Sequence, residues 1–180
     1  MKIFQAQAEH ERYAQTISDS IFEASQAKDS GLAQRSPEYI LEKMREGKAV
    51  IAIAPNGDIA GFVYIDTWQQ GEFVATSGLI VNPAYRGLGL ATRLKKEAFL
   101  LARRLFPQAK IFGLTTSEAV MKINSDLGYR AVSYAKLTTD EKFWKGCESC
   151  TNFDILQRTN GTGCLCTGMI FDPEEVGSYE

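Results

Sequence analysis

The chain contains 180 residues, of which 44% are hydrophobic and 23% are charged. That length corresponds to one domain or slightly more, and it buries enough surface to fold without disulfides or metals. The composition excludes a disordered tail, a collagen and a coiled coil. The 20 basic and 22 acidic residues give a net charge of −2. This argues against nucleic acid as a partner, because nucleic-acid-binding proteins usually carry a basic excess.

No segment suggests a membrane partner. The longest unbroken apolar run, residues 49–54, is far shorter than the ~20 residues that span a bilayer. The first residues, Met1 to Gln5, lack a long apolar core, so we expect no signal peptide. These features predict a protein of the reducing cytoplasm, where the four cysteines are not expected to form two disulfides.

The first half of the chain predicts a strand, two helices and three strands. Their ranges, in chain order, are 2–7, 9–27, 36–47, 49–54, 59–66 and 72–81. Ser36 is a good N-cap and Pro37 suits the first position of the second helix. Asn56-Gly57 favours a tight hairpin turn between the first two of the three strands. Pro83 cannot donate to a strand ladder, so pairing should stop there.

The second half begins with a glycine-containing segment and alternates strands with helices. A helix runs to Phe106, and the later ranges are a strand at 110–115, a helix at 117–127, strands at 129–136 and 164–171, and a long connection at about 137–163. We see no linker or repeat. The order predicts one domain over residues 1–180, of mixed α/β class.

The most informative segment is a strand, Pro83, a loop with Gly87 and Gly89, and then a helix. Such a loop presents several backbone N–H groups at the positive end of a helix, which suits a pyrophosphate. The pattern Arg86-x-x-Gly89-x-Ala91 is neither the dinucleotide fingerprint G-x-G-x-x-G nor a P-loop. A nucleoside triphosphate and a nicotinamide cofactor are therefore disfavoured. The plainer alternative is a glycine loop that only turns the chain.

This segment resembles the GNAT superfamily of acyl-CoA-dependent N-acyltransferases, whose signature is [Arg/Gln]-x-x-Gly-x-[Gly/Ala] between a strand and a helix. Val81-x-Pro83-x-Tyr85 before the loop and Leu127-Gly128-Tyr129 after a later helix also fit. The resemblance covers about residues 2–136. It implies a mixed, mostly antiparallel central sheet that is flanked by helices, with strands that splay apart at the CoA site.

The resemblance also implies acetyl-CoA as cosubstrate and assigns residues to it. The expected pyrophosphate site is the backbone of Gly87, Leu88, Gly89, Leu90, Ala91 and Thr92, and the pantetheine arm would pair with Leu79, Ile80 and Val81. A backbone N–H near Leu79 would polarise the thioester carbonyl. Arg86, together with Lys95 or Arg93, would add positive charge at the phosphates; for Lys95 and Arg93 the alternative is a solvated helix face.

Transfer of an acyl group by direct attack of an amine needs a general base and a proton donor near the leaving thiolate. Many members of the resembled family place Glu on the third strand, where this chain has Ala75, and Tyr at the position of Asn124. Ser77 shares the face of Ala75 and can order a water, and Asn124 can hydrogen-bond to the sulfur. We therefore predict Ser77 and Asn124 as catalytic residues, with positioning and a water relay. His10, the only histidine, is predicted to be a surface or capping residue.

The acceptor is predicted to be a small molecule with a primary amine. A carboxylate on it would want a clamp, which Arg35 or Lys122 would supply. Thr115-Thr116, Gly128-Tyr129 and residues 137–141 are distantly similar to the acyltransferase domain of N-acetylglutamate synthases, which suggests an amino acid acceptor and a role in amino acid metabolism. The alternatives are a CoA-binding regulatory module with impaired catalysis and a protein-directed acetyltransferase.

The long connection and the last strand carry a cysteine cluster with the spacing C-x2-C-x13-C-x-C. Its members are Cys147, Cys150, Cys164 and Cys166. Four thiolates in two close pairs would close a structural zinc site. The alternatives are four reduced cysteines that pack as small apolar residues and a redox pair at Cys147 and Cys150. Aromatic residues in the connection predict that it packs against the body or against the second subunit of a homodimer.

Overall fold

One seven-stranded sheet organises the chain in the computed structural model, which describes residues 1–27 and 30–176. The strands are β1 (Lys2–Gln5), β2 (Ala49–Ile53), β3 (Ile59–Trp68), β4 (Phe73–Val81), β5 (Lys110–Thr115), β6 (Arg130–Val132) and β7 (Thr167–Phe171). The helices are α1 (Ala14–Ser25), α2 (Pro37–Arg45), α3 (Leu90–Leu105), α4 (Glu118–Asp126), α5 (Glu141–Lys145), α6 (Phe153–Arg158) and α7 (Pro173–Val176). None of the helices in these ranges is long and apolar enough to cross a bilayer.

The sheet is mostly antiparallel, as predicted, and its order is β1-β2-β3-β4-β5-β7-β6. Within the described part of the chain, β4 and β5 are the one parallel pair. They pair at only three positions, Phe73 to Ala75 against Lys110 to Phe112, and then they part. The splayed strands implied by the family resemblance are therefore present, and a gap opens beyond Ala75.

The two faces of the sheet bury separate apolar clusters, because side chains alternate along each strand. On β3, Phe62 and Tyr64 join the cluster of α1 and α2. The intervening Val63 and Ile65 join the cluster that α3 covers on the opposite face. Both apolar clusters are buried against β3. The residues of β4 beyond Ala75 therefore lie between two packed apolar layers.

A β-bulge in β4 lies where β4 leaves β5. Tyr64 is opposite Ser77 and Phe62 is opposite Ile80, so Gly78 and Leu79 together face the single residue between them on β3. Gly78 has φ +67°, and a Cβ there would lie 2.4 Å from the Tyr64 ring. Only glycine meets both constraints. The bulge therefore fixes where the backbone near Leu79 points.

Several predicted boundaries were wrong. The predicted first helix begins as a 3-10 turn, Ala8–Tyr13. Residues 134–136 also form a 3-10 turn instead of extending β6. The last strand begins at Thr167 and not at Cys164, because the Tyr134 hydroxyl donates to the Cys166 carbonyl (2.6 Å), which removes that carbonyl from strand pairing. The connection at 137–163 holds the short helices α5 and α6. Six residues of the predicted domain lie outside the described ranges: residues 28 and 29, and residues 177–180 at its C-terminal end.

We expect Gly78→Ala to lower the free energy of unfolding by about 2–5 kcal/mol in urea titrations. The left-handed backbone costs an L-residue about 1–2 kcal/mol, and the clash with Tyr64 adds about 1–3 kcal/mol. The matched control is Gly57→Ala, in the hairpin turn, where φ is +87° and no atom lies within 4 Å of the new Cβ. The control should lose only the backbone cost; an equal loss in both variants would contradict the bulge.

Candidate active site

Three cavities follow one another along β4. The Arg86 groove, about 560 Å3, lies between α1 and the end of β4. The central cavity, about 260 Å3, lies in the gap between β4 and β5, and the Arg35 pocket, about 310 Å3, lies on the α2 face of the sheet. Leu79 lines both the groove and the central cavity, and Ser77 lines both the central cavity and the pocket. A long ligand bound in the Arg86 groove would therefore extend past Leu79 into the central cavity and reach Ser77.

The glycine loop is shaped for an anion. Gly87 (φ +79°) and Gly89 (φ +71°) have no atom within 4 Å of an added Cβ, so the backbone there is open to a ligand. Gly89 is the N-cap of α3 and supplies no capping side chain, and the first turn of α3 is without an acidic residue. The first N–H groups of this 16-residue helix are thus available to phosphate oxygens.

The residues predicted for acetyl-CoA lie around the same entrance. Leu79, Ile80, Val81 and Arg86 line the Arg86 groove. Leu88 is 64% exposed at the tip of the loop, and Thr92 is exposed on α3. Leu90 differs, because its side chain is buried in the core and leaves only its backbone N–H for a ligand. The residues at this entrance fit the pyrophosphate and pantetheine of acetyl-CoA.

Lys95 departs from the prediction. Its side chain is 3% exposed, so it belongs neither to the phosphate site nor to a solvated helix face. It lines the central cavity, its ammonium donates to Thr76 Oγ1 at 2.7 Å, and it lies 5.5 Å from the centre of the Tyr129 ring. Burial lowers the pKa of Lys95 to about 8.

The two predicted catalytic residues meet at the central cavity. Ser77 and Asn124 both line it, and Asn124 comes from α4. Asn124 is 1% exposed and donates weakly to the sulfur of Met169 at 3.7 Å. Its Oδ1 has no hydrogen-bond partner among the described residues. A buried amide with a free oxygen at a cavity wall is suited to a ligand atom.

The Arg35 pocket contains a cation without a carboxylate partner. Arg35 donates to the Tyr64 hydroxyl (2.9 Å), to the Gln34 carbonyl (2.7 Å) and, at 3.4 Å, to the Gly146 carbonyl. Its guanidinium also lies over the Tyr39 ring, 5.4 Å from the centre. No carboxylate in the described ranges lies within 4 Å of it. The guanidinium is held in place but its charge is unpaired.

Asp66, the acidic residue of the Arg35 pocket, is already paired. Its carboxylate lies 3.0 Å from the Lys43 ammonium and 3.5 Å from that of Lys48. The Tyr39 hydroxyl also donates to Asp66, at 3.0 Å, and burial keeps the pKa of Tyr39 far above its ordinary value. Asp66 is therefore poorly placed to serve as a general base, and the free charge of the pocket is positive.

The loop before α2 forms a wall of the pocket and is tied to the cysteine-containing connection. The backbone N–H of Gln34 donates to Ser149 Oγ at 3.0 Å, and Asn152 Nδ2 donates to the Ser30 carbonyl at 2.8 Å. Phe143 packs against Phe112 of the sheet, with 4.9 Å between ring centres. The connection thus packs against the body of the protein, one of the two arrangements expected for it.

The zinc prediction is not supported. The four cysteines, Cys147, Cys150, Cys164 and Cys166, line one small cavity of about 40 Å3 and are free thiols. Among the residues with described positions, however, no group of three or more His, Cys, Asp or Glu is arranged to hold a metal ion. Burial raises the pKa of Cys147 to about 11 and that of Cys166 to about 12. Thiols with a raised pKa are unsuited to redox exchange, which favours packing as small apolar residues.

Sequence reasoning missed most of the Arg35 pocket. Tyr39, Tyr64, Trp68 and Phe143 line it and come from three separate elements, α2, β3 and α5. Lys95 carried a usable signal, since it shares a helical face with small residues (Ala91, Ala98 and Ala102) and not with the charged ones.

His10 is a capping residue, one of its two expected roles: its Nδ1 accepts from the backbone N–H of Gln7 at 2.9 Å. Lys122 pairs with Asp126 on the exposed face of α4 and is not part of the pocket.

Comparison with known proteins identifies the family. The model of the acetyltransferase (GNAT) family matches residues 18–121. This range covers the bulge, the glycine loop, α3 and the gap between β4 and β5. The chain belongs to the GNAT family and is an acyl-CoA-dependent N-acetyltransferase. No curated protein sequence matches the chain significantly.

Solved structures share the fold at low sequence identity. Rv2747 from Mycobacterium tuberculosis, solved with CoA, has a TM-score of 0.67 and 17% identity over 96% of this chain and 99% of its own. YncA from Salmonella typhimurium, a putative acetyltransferase solved with acetyl-CoA, has a TM-score of 0.65 and 15% identity, over 96% and 94%. N-acetylglutamate synthase from Neisseria gonorrhoeae, solved with CoA and N-acetyl-glutamate, has a TM-score of 0.65 and 19% identity. The match covers 95% of this chain but only 34% of the synthase.

We expect Gly89→Glu to weaken CoA binding at least ~100-fold in calorimetry, a loss of about 2.7 kcal/mol. The new carboxylate would stand at the helix N-terminus, where the phosphates need positive potential. Gly57→Glu is the matched control, because Gly57 also has positive φ and open surroundings. Both variants should unfold at similar denaturant concentrations. Unchanged CoA affinity in Gly89→Glu would contradict the assignment of the loop.

Proposed function

We propose that the enzyme moves the acetyl group of acetyl-CoA to the primary amine of a small acceptor that carries a carboxylate, such as an amino acid. The observation that carries this proposal is the unpaired guanidinium of Arg35 in a pocket that shares Ser77 with the central cavity. A carboxylate is the natural partner for a guanidinium with free N–H groups. The gonococcal synthase binds N-acetyl-glutamate, an N-acetylated amino acid that carries carboxylates.

The charge balance of the pocket supports this acceptor. Three charged residues line the pocket, and Asp66 is neutralised by Lys43 and Lys48. Arg35 and Lys142 then leave the pocket positive. A polyamine would meet two uncompensated cations, whereas an amino acid would bring the missing negative charge. The wall formed by the loop before α2 and the connection also favours a small molecule over a peptide.

We propose direct attack of the amine on the thioester, with Ser77 and Asn124 assisting. Ser77 stands between the two cavities and would hold a water that takes the proton of the amine. Asn124 would hydrogen-bond to the sulfur. Arg35 would fix the carboxylate of the acceptor, so that its amine meets the carbonyl carbon in one orientation. The N–H groups at the Gly78 bulge would bind the carbonyl oxygen as negative charge develops there.

Four broader predictions remain proposals that accompany this function. An amino acid acceptor places the enzyme in amino acid metabolism, and we propose the cytoplasm as its location. We propose that the described fold forms one domain over residues 1–180. A homodimer remains a proposal, which sedimentation velocity would test.

The first test is the release of free thiol from acetyl-CoA with a panel of amines. Glutamate, ornithine, other amino acids and their carboxamides, and polyamines would be compared at equal concentration. We expect release with at least one amino acid and at least ~10-fold lower kcat/KM with its carboxamide, because the amide loses the charge-assisted bond to Arg35. Preference for polyamines would contradict the proposal. Tight CoA binding without release for any acceptor would favour the regulatory module.

Arg35→Gln should raise KM for the active amino acid about 10- to 100-fold with little effect on the carboxamide. Lys122→Gln is the matched control, since Lys122 was the other candidate clamp and lies outside the pocket. It should leave both values unchanged. Because Arg35 also supports the loop through Gln34 and Gly146, the CoA affinity and melting temperature of Arg35→Gln are measured in parallel. An equal loss for acid and amide would indicate a collapsed loop and contradict the carboxylate clamp.

A further inference from the structure

The central cavity contains a buried cation that the proposed function does not use. Lys95 reaches from α3 into the gap between β4 and β5, and its one hydrogen bond among the described residues is to Thr76. No described carboxylate lies within 4 Å of its ammonium. An ammonium can donate three hydrogen bonds, so two remain for other atoms. Asn124, whose Oδ1 has no hydrogen-bond partner among the described residues, also lines this cavity.

The elements packed against α3 supply no compensating charge among the described residues. α3 contacts β2, β3, β4 and α4, and its Phe99 packs against Phe171 of β7, a strand without a titratable side chain. Neither β2 nor β4 contains a titratable side chain, and on β3 Tyr64 belongs to the opposite face while Asp66 is paired with Lys43. The charged residues of α4, Glu118, Lys122 and Asp126, are exposed. Tyr129 is the titratable group that does face Lys95, and burial raises its pKa, which keeps it neutral.

A donor that follows the path of these cavities would bring its sulfur near this cation. A thioester that enters through the Arg86 groove presents its sulfur before its carbonyl carbon, and the carbonyl must lie next to Ser77 to be reached from the Arg35 pocket. Thr76 and Ser77 point to opposite faces of β4. The inference here rests on the proposed function: the proposed acceptor would be on the Ser77 face, so the sulfur would lie toward the Thr76 face, where Lys95 and Asn124 line the cavity.

We propose that Lys95 is the general acid that protonates the leaving sulfur of CoA. As the bond between the amine nitrogen and the carbonyl carbon forms, the bond between that carbon and the sulfur breaks and its electron pair goes to the sulfur. One N–H bond of the Lys95 ammonium breaks, and the proton forms the S–H bond of CoA. Lys95 becomes a neutral amine and regains a proton from water, which has received the proton lost by the acceptor.

The burial of Lys95 suits this role. A general acid works best when its pKa is near the operating pH and near that of the group that it protonates. The pKa of about 8 that burial gives to Lys95 is close to the ~8.5 of an ordinary thiol. A solvated lysine, at ~10.4, would hold its proton more tightly. Asn124, in contrast, has no proton to transfer at neutral pH, so the two residues would act together on one sulfur.

The first test titrates the thiol of bound CoA and needs no acceptor. A nearby ammonium favours the thiolate, so the pKa of the CoA thiol should be lower in the wild-type complex than in the Lys95→Met complex by about one unit, a tenfold change in the thiolate to thiol ratio. Ultraviolet absorbance of the thiolate at saturating protein gives the titration curve. Lys96→Met is the matched control, because Lys96 is the exposed neighbour on the same helix. Equal thiol pKa values in the wild type and in Lys95→Met would overturn the proposal.

The second test uses the pH dependence of kcat. The acceptor is the most active compound of the amine panel, even if its turnover is slow. The acid must be protonated, so kcat of the wild type should fall as pH rises through about 8. Lys95→Met should lower kcat about 100-fold or more and lose this alkaline limb, with KM for acetyl-CoA changed less than about threefold. Lys95→Arg keeps the charge but does not release a proton near neutral pH. It should restore the lowered thiol pKa but not kcat; full recovery of kcat would overturn proton donation.

Two measurements separate the general acid from the other roles that Lys95 could have, a structural residue and a nucleophile. Lys95→Met removes a buried charge, so its melting temperature should be equal to or higher than that of the wild type; a large drop would indicate that Lys95 serves the fold. Mass spectrometry after incubation with acetyl-CoA should find Lys95 unmodified, whereas its acetylation would show a nucleophile instead of an acid. An inactive amino acid panel would contradict the acceptor proposed above and leave the thiol titration unaffected.

Discussion

The parting of β4 and β5 after three paired residues is the constraint on which the site depends. These strands are parallel and adjacent, yet pairing stops at Ala75 and Phe112, and the backbone beyond them is free to face a ligand. The Gly78 bulge lies where the two strands separate. Its left-handed backbone and its contact with Tyr64 leave no room for a side chain at this position. The gap joins the two faces of the sheet. A donor in the Arg86 groove and an acceptor in the Arg35 pocket would therefore meet at the gap, beside Ser77.

Each face of the sheet brings one uncompensated cation to this gap. Lys95 lies under the α3 face and Arg35 lies on the α2 face, and neither has a carboxylate within 4 Å in the described structure. Burying a charge without a counter-ion is costly, so both positions are suited to bound anions. The negative charges of the proposed reaction fall in the matching places: on the leaving sulfur and on the acceptor carboxylate. One sheet thus separates two electrostatic tasks by the alternation of neighbouring residues on β4.

Local patterns carried much of the prediction. The hairpin at Asn56-Gly57, the N-cap at Ser36 and the loop from Arg86 to Ala91 depend on residues that are adjacent in sequence, and each lies where it was expected. The cysteine cluster was harder to interpret, since spacing alone did not distinguish zinc ligands from packing residues. Their surroundings favour packing: Cys166 lies against Gly31, which lines the central cavity, and burial raises the pKa of the Cys147 and Cys166 thiols.

The sequence by itself determined the family, the glycine loop and the alternation of strands and helices, because these follow from short-range backbone preferences and from the spacing of a few residues. Only the tertiary structure decided the charge state of the site. The burial of Lys95 depends on its packing between β4 and α4. Arg35 lacks a carboxylate partner because Asp66 is paired with Lys43 and Lys48. Desolvation and ion pairing are set by distances between residues that are far apart in the chain. No local pattern contains those distances, so the chemistry of the cavity became visible only in the fold.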